Sequence, residues 1–256
     1  MGQTGFGPSR GRASHKLVTE AFAMAFLQSE PPREPFLHAP ASVLLLIGAL
    51  VLAHVARIAA PAPLPDEILT QFAFIPARYS GGLDTGGLLG LAVPFLSHMF
   101  LHANFVHLGV NCVWLLAFGP IVARRYGTGL FLLFFAICGV AGAATYLAFD
   151  WGSPAGVIGA SGAISGLMAA GIRMYPWPGS PLTRPMAPIF SSQILLFTGF
   201  WLGTNLLFGI LGVGAGGEIQ QIAWQAHLGG YFVGLVSAGG FEALRGRRPA
   251  KKPDAA

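Results

Sequence analysis

Two positions in this chain carry residue types that together support nucleophilic chemistry. Ser161 lies among small residues in Gly159-Ala160-Ser161-Gly162, and His227 sits in Ala226-His227-Leu228-Gly229-Gly230. A serine hydroxyl is a weak nucleophile until a neighbouring base takes its proton, and neutral imidazole is such a base. The glycines flanking Ser161 and following His227 let two helix backbones approach closely, which brings hydroxyl and imidazole within hydrogen-bond reach. A third group lies in His102-x4-His107-x3-Asn111. His107 and Asn111, four residues apart, project from one helical face. Both can donate to a developing oxyanion, together with the Ser161 backbone N–H, which lies in the first turn of its helix and has no intrahelical acceptor. No Asp or Glu lies in the central part of any apolar span, so the sequence describes a Ser–His dyad.

Each piece alone has a plainer use. Gly162-x-x-x-Gly166 and Gly230-x-x-x-Gly234 are small-residue pairs of the kind that pack helices in lipid, and an intramembrane histidine or asparagine can serve as interhelical glue. His54 and His98 fall in no motif. The combination, with polar groups placed where they are expensive, points to a functional site.

The elements that must position these residues follow from composition. Of 256 residues, 54% are hydrophobic and 10% charged, with a mean hydropathy of +0.62. A soluble domain carries roughly 25% charged residues, so this chain cannot cover an ordinary water-facing surface and reads as an all-α membrane protein. The 36 Gly and 20 Phe suit helices that approach closely in places and meet lipid elsewhere. A span needs about 20 apolar residues to cross about 30 Å of hydrocarbon. Six segments qualify as candidates: Ala41–Ile58, Asn104–Val122, Gly127–Phe149, Gly159–Met174, Phe190–Leu211 and Ile222–Leu244. The fourth is short and rich in glycine. The expected division is 1–40, a polar and weakly ordered cytoplasmic segment; 41–244, the six-helix domain; and 245–256, a basic cytoplasmic tail. The apolar run Ala21–Leu27 is too short, and too polar at its flanks, for a cleavable signal peptide. The 59–90 connection, with Pro61, Pro63 and Pro65, is long enough to hold structure of its own. Gly212–Gln221 is Gly-rich and reads as a movable loop. Cys112 and Cys138 match no metal spacing and read as reduced thiols in apolar surroundings.

Orientation follows the Lys/Arg bias. With both termini cytoplasmic, 13 of the 15 basic residues lie on the inner side, leaving Arg57 and Arg78 outside. The net charge of +5 is thereby explained by topology and anionic lipid, with no need for nucleic acid. The bias fits a multi-pass protein of a bacterial inner membrane.

At this point the residues resemble the rhomboid intramembrane serine proteases. His102-x4-His107-x3-Asn111 is similar to that family's second-helix motif, Gly159-Ala160-Ser161-Gly162 to its nucleophile motif, and Ala226-His227-x2-Gly230-x3-Gly234 to its sixth-helix motif. The resemblance covers about residues 41–244 and implies a six-transmembrane-helix bundle. It implies Ser161 as nucleophile, His227 as general base, and His107, Asn111 and the Ser161 amide as oxyanion donors. It implies His102 as a structural histidine near the first loop, and Gly159, Gly162, Gly230 and Gly234 as close-packing positions. The implied substrates are transmembrane proteins, cut at a small residue in or near a helix-destabilised segment. The fifth span and Gly212–Gln221 resemble a lateral gate and cap, and no cofactor or metal is implied. Two positions depart from the pattern. The first loop has no Trp-Arg pair, and the residue four after Ser161 is Ser165, where some members carry an aromatic ring that packs on the histidine.

Two other readings compete. A catalytically silent rhomboid-like protein that binds transmembrane clients would ordinarily lack the Ser or the His, and both are present. A transporter using His, Asn and Ser as a polar pathway would carry intramembrane carboxylates or inverted repeats; no Asp or Glu lies in the central part of any span, and no internal repeat relates the halves. Nothing in the residues fixes the oligomeric state.

Overall fold

A computed structural model describes residues 39–81, 86–174, 185–212 and 223–246. The expected N-terminal segment, most of the basic tail and the Gly212–Gln221 loop therefore lie, but for their edge residues, outside the described residues. Within them the architecture is all-helical. Six helices occupy the six expected segments: α1 (Ala41–Ala59), α5 (Phe105–Tyr126), α6 (Thr128–Phe149), α7 (Ser161–Met174), α8 (Ser192–Leu211) and α9 (Trp224–Gly246). Four of them, α1, α5, α6 and α8, are by length and composition apolar enough to cross a membrane. At about 1.5 Å rise per residue, the 14 residues of α7 reach about 21 Å, short of a full crossing.

The segment between α1 and α5 does hold structure of its own: α2 (Leu64–Phe72), a 3-10 turn at Pro76–Arg78, α3 (Gly87–Ala92), α4 (Pro94–Ser97) and a second 3-10 turn at His98–Phe100. It is fastened without a Trp-Arg pair. The buried Arg78 donates from Nη1 to the Gln71 carbonyl (2.8 Å), the Tyr79 hydroxyl to the Leu91 carbonyl (2.7 Å), and the Ser97 hydroxyl to the Phe72 carbonyl (2.8 Å). Phe74 packs against Tyr79 and Phe95 and forms an isolated antiparallel bridge with Val157, tying the loop to the segment that leads into α7.

Local signals set the helix ends. Asn104 caps α5, its Oδ1 accepting from the His107 backbone N–H (2.9 Å), which satisfies one of the donors a helix start leaves open. Gly127, at φ +76°, turns the chain from α5 directly into α6.

The core is centred on α7, 12 of whose 14 residues are buried, so this helix meets protein on every side. It packs against α5, α6 and α9, while α1 lies against α5. Leu46 and Leu50 of α1, Leu115 and Tyr126 of α5, Phe131 and Phe134 of α6, and Leu167 of α7 share one apolar cluster. The outer faces are apolar too, as a lipid-facing bundle requires: Leu45, Leu196 and Phe200 are each about 70% exposed or more.

At the Arg-rich end, polar links cross the bundle. The Arg125 guanidinium of α5 meets the Glu242 carboxylate of α9 through two hydrogen bonds, at 2.9 and 3.2 Å. Arg173, at the end of α7, donates to the Leu235 carbonyl of α9 (2.6 Å) and the Ala187 carbonyl before α8 (3.0 Å). The Tyr126 hydroxyl reaches the Ala238 carbonyl (2.7 Å). These groups do structural work that a count of inside charges does not reveal.

Candidate active site

Ser161 is the first residue of α7, and the chain enters it through Gly159, whose φ of +113° is a conformation that residues with a Cβ rarely adopt. A side chain there would also collide with the His107 ring, 2.7 Å from Nε2. Gly159 is therefore required twice, for its backbone and for the space it leaves between α5 and α7. The Gly159 N–H donates to the His98 carbonyl (2.9 Å), which fixes the approach to the serine. His98 is itself buried, with Nδ1 bonded to the Pro94 carbonyl (2.8 Å) and its basicity pushed down to about 4 by loss of solvent, so it is neutral at physiological pH.

The half-buried His227 comes from the first turn of α9 and places Nε2 2.7 Å from the Ser161 hydroxyl. What sets that distance is a backbone-to-backbone seam. The two glycine pairs of the sequence face each other in register: the Cβ position of Gly230 is taken by the Gly162 carbonyl, and that of Gly234 by the Gly166 carbonyl and Cα. On the third side, a Cβ on Gly142 of α6 would meet the Ala226 carbonyl at 2.7 Å, and Cys138 fills the space beside Gly166. Helices that touch through glycine cannot change spacing by side-chain rotation, so the distance between Ser161 and His227 is held by main chain.

His107 and Asn111 stand beside this pair on α5. The backbone N–H of Ala103 points to His107 Nδ1 (3.4 Å), which makes Nδ1 the acceptor and leaves the ring proton on Nε2, facing the Gly159–Ser161 segment. Asn111 is buried; its Nδ2 donates to the His107 carbonyl (2.9 Å), and its Oδ1 has no partner. His102 is fully buried between His54 and His107, its carbonyl accepting from Arg57 Nη2 (2.9 Å) while neither ring nitrogen has a hydrogen-bond partner. All nine sequence-derived positions thus fall in one neighbourhood where α5, α7 and α9 meet.

The sequence missed one member of this neighbourhood. Asn205, on α8, places Oδ1 2.7 Å from His227 Nδ1. The signal was present as Thr204-Asn205 inside an otherwise apolar span, a polar pair in the wrong solvent, but it has no motif partner on its own helix. Ser165 does not reach His227 at all: its hydroxyl donates back to the Ser161 carbonyl (2.7 Å).

Comparison with known proteins identifies the family. A family model for the rhomboid domain matches residues 90–241, more than half of the chain and every helix that contributes to the site. The chain is 31% identical over 144 residues to the rhomboid protease GluP of Bacillus subtilis (strain 168), an alignment covering 56% of this chain. It spans about a quarter (25%) of that protein's length. Motifs, helical bundle and family match converge on one conclusion: the chain is an integral membrane protein and belongs to the rhomboid family.

Proposed function

We propose that this protein is a serine endopeptidase that cleaves transmembrane segments of other membrane proteins, with Ser161 as nucleophile and His227 as general base. The observation that carries the reading is the 2.7 Å approach of the Ser161 hydroxyl to His227 Nε2. In this reaction the Ser161 oxygen attacks the scissile carbonyl carbon and its proton passes to Nε2. The oxyanion lies among the Ser161 N–H, the His107 Nε2–H and the Asn111 amide, the last after turning from the His107 carbonyl. His227 then returns the proton to the leaving amine, forming an acyl-enzyme. Water, deprotonated by the same imidazole, hydrolyses the ester and restores the serine. The half-exposure of Ser161 and His227 supports access of water to the pair. His102, with the four motif glycines, is read as structural support.

The basic residues support a multi-pass orientation in a bacterial inner membrane with both termini in the cytoplasm. The first test needs no known substrate. Purified protein treated with a fluorophosphonate probe labels covalently in wild type and fails to label as Ser161→Ala or His227→Ala, while both variants keep the wild-type helical circular dichroism. Asn111→Ala labels more slowly, by up to about 10²–10³-fold, the range for one lost oxyanion donor. A well-folded wild type that never labels, in detergent or in liposomes, overturns the reading in favour of a silent client-binding protein.

A further inference from the structure

The resting state of a general base depends on which ring nitrogen carries the proton. For imidazole this is set by the hydrogen bond at the other nitrogen. His227 must present a bare Nε2 to Ser161 to accept its proton, and the residue facing Nδ1 is therefore decisive.

That residue is Asn205, and its own orientation is determined by the hydrogen bonds around it. Asn205 Nδ2 lies 2.9 Å from the Trp201 carbonyl, one turn earlier on α8. A carbonyl only accepts, so the amide nitrogen must face Trp201 and Oδ1 must face His227. Oδ1 likewise only accepts, so Nδ1 of His227 carries the proton in the 2.7 Å contact. Nε2 is left with its lone pair toward the Ser161 hydroxyl, also at 2.7 Å. The chain of donors runs in one direction, from Ser161 through His227 and Asn205 to the backbone of α8. The rest of the α8–α9 contact repeats the same register. Thr198, Trp201 and Asn205 share one face of α8. Thr198 Oγ1 bonds to the Tyr231 hydroxyl (2.8 Å), and the Trp201 ring stacks on Tyr231 with centroids 4.4 Å apart.

We propose that Asn205 is a positioning residue of the site: it fixes the Nδ1–H tautomer and the ring orientation of His227, making the dyad a relay of three side chains whose third member comes from α8. The proposal rests on the assignment of His227 as base. Asn205 touches no reacting atom and acts through the imidazole.

Two measurements test it. The first is the concentration dependence of fluorophosphonate labelling, resolved into a maximal rate and a half-saturating concentration. Asn205→Leu lowers the maximal rate at least about tenfold, well short of the roughly 10⁴ associated with losing the carboxylate partner of a soluble triad, and leaves half-saturation unchanged. Asn205→Asp, which keeps an acceptor at the same place, restores most of the rate. Thr198→Val removes a hydrogen bond from the same seam without touching His227 and labels within about twofold of wild type. Equal slowing by Thr198→Val and Asn205→Leu, with no rescue by Asp, overturns the proposal, because the effect is then general loosening of α8.

The second is independent of activity. Nitrogen-15 spectra of histidine-labelled protein, with the His227 signal assigned from a His227→Gln variant, show the Nδ1–H tautomer in wild type and a mixture in Asn205→Leu. An Nε2–H tautomer in wild type overturns the proposal whether or not the serine labels. A silent serine with the Nδ1–H tautomer intact overturns the catalytic reading and supports the role of Asn205 in setting the tautomer.

Discussion

His227 belongs to two seams built on opposite principles. Toward α7 it is carried by α9 on glycine, main chain against main chain, with carbonyls occupying the places where Cβ atoms would stand. Toward α8 the seam is made by side chains: Asn205 bonds to His227, while Thr198 and the stacked Trp201 meet Tyr231 one turn further along α9. The two partner helices differ accordingly. Nearly all of α7 is buried, whereas along the 20 residues of α8 only Ile194 and Trp201 are. Lipid tails are as apolar as the side chains, so burial alone does not press membrane helices together, and close packing and hydrogen bonds decide which contacts hold. The glycine seam therefore sets a distance, that between Ser161 and His227. The side-chain seam sets an orientation, and it does so on a helix that the rest of the bundle grips lightly.

The sharpest way to break this comparison is to add one carbon to the glycine seam and one to the open face of α8. Gly230→Ala drives a methyl into the Gly162 carbonyl, backbone that no rotamer can move. We expect a loss of about 1–3 kcal/mol in stability, the usual cost of overpacking, with fluorophosphonate labelling falling to background; thermal unfolding in detergent and labelling report the two. A Gly230→Ala protein of wild-type activity would mean that the main-chain seam does not set the distance. Next in size is Glu242→Gln, which strips the paired charge from the buried Arg125 at the far end of α9. Unpairing a fully buried ion costs about 3–5 kcal/mol. Glu242 is 30% exposed, so about 2 kcal/mol is expected, measured as a lowered melting temperature with the labelling rate per folded molecule unchanged. The smallest effect belongs to Gly203→Ala on α8, where a Cβ meets open space. Stability there stays level or rises by up to about 1 kcal/mol, the helix-propensity difference. A large loss at Gly203 would show that α8 is gripped as tightly as α7.

Much of this arrangement was legible in the residue string because its signals are local. A serine between glycines, a histidine followed by Gly229-Gly230, and His107 and Asn111 one turn apart are polar groups in apolar runs, and their spacing declares a shared face. The register of Gly162 and Gly166 against Gly230 and Gly234 also follows from equal spacing. What the string concealed were pairings whose two halves lie far apart. Asn205 meets His227 across two helices, and Thr204-Asn205 reads alone as an ordinary polar interruption. Arg57 and Arg78 looked like charges on the wrong side of the membrane, yet each donates to a backbone carbonyl, a partner that every residue offers and no motif marks. The support left open by Ser165 came from another helix altogether.

The shortness of α7 has a consequence for how the protein is made. An isolated segment enters the bilayer from the insertion machinery when its own residues favour lipid over water. The two helices bearing Ser161 and His227 are those, of the six, that fail the test of length and apolar composition, while α1, α5, α6 and α8 pass. With an arginine near its end, glycines along its length and a reach of about 21 Å, α7 has little to gain from lipid by itself. Its place is prepared by neighbours: α5 and α6, made before it, supply the wall, and α9, made after it, closes the glycine seam. Ser161 and His227 thus come together only once α9 is in place, and a chain halted before α9 carries Ser161 without the imidazole beside it.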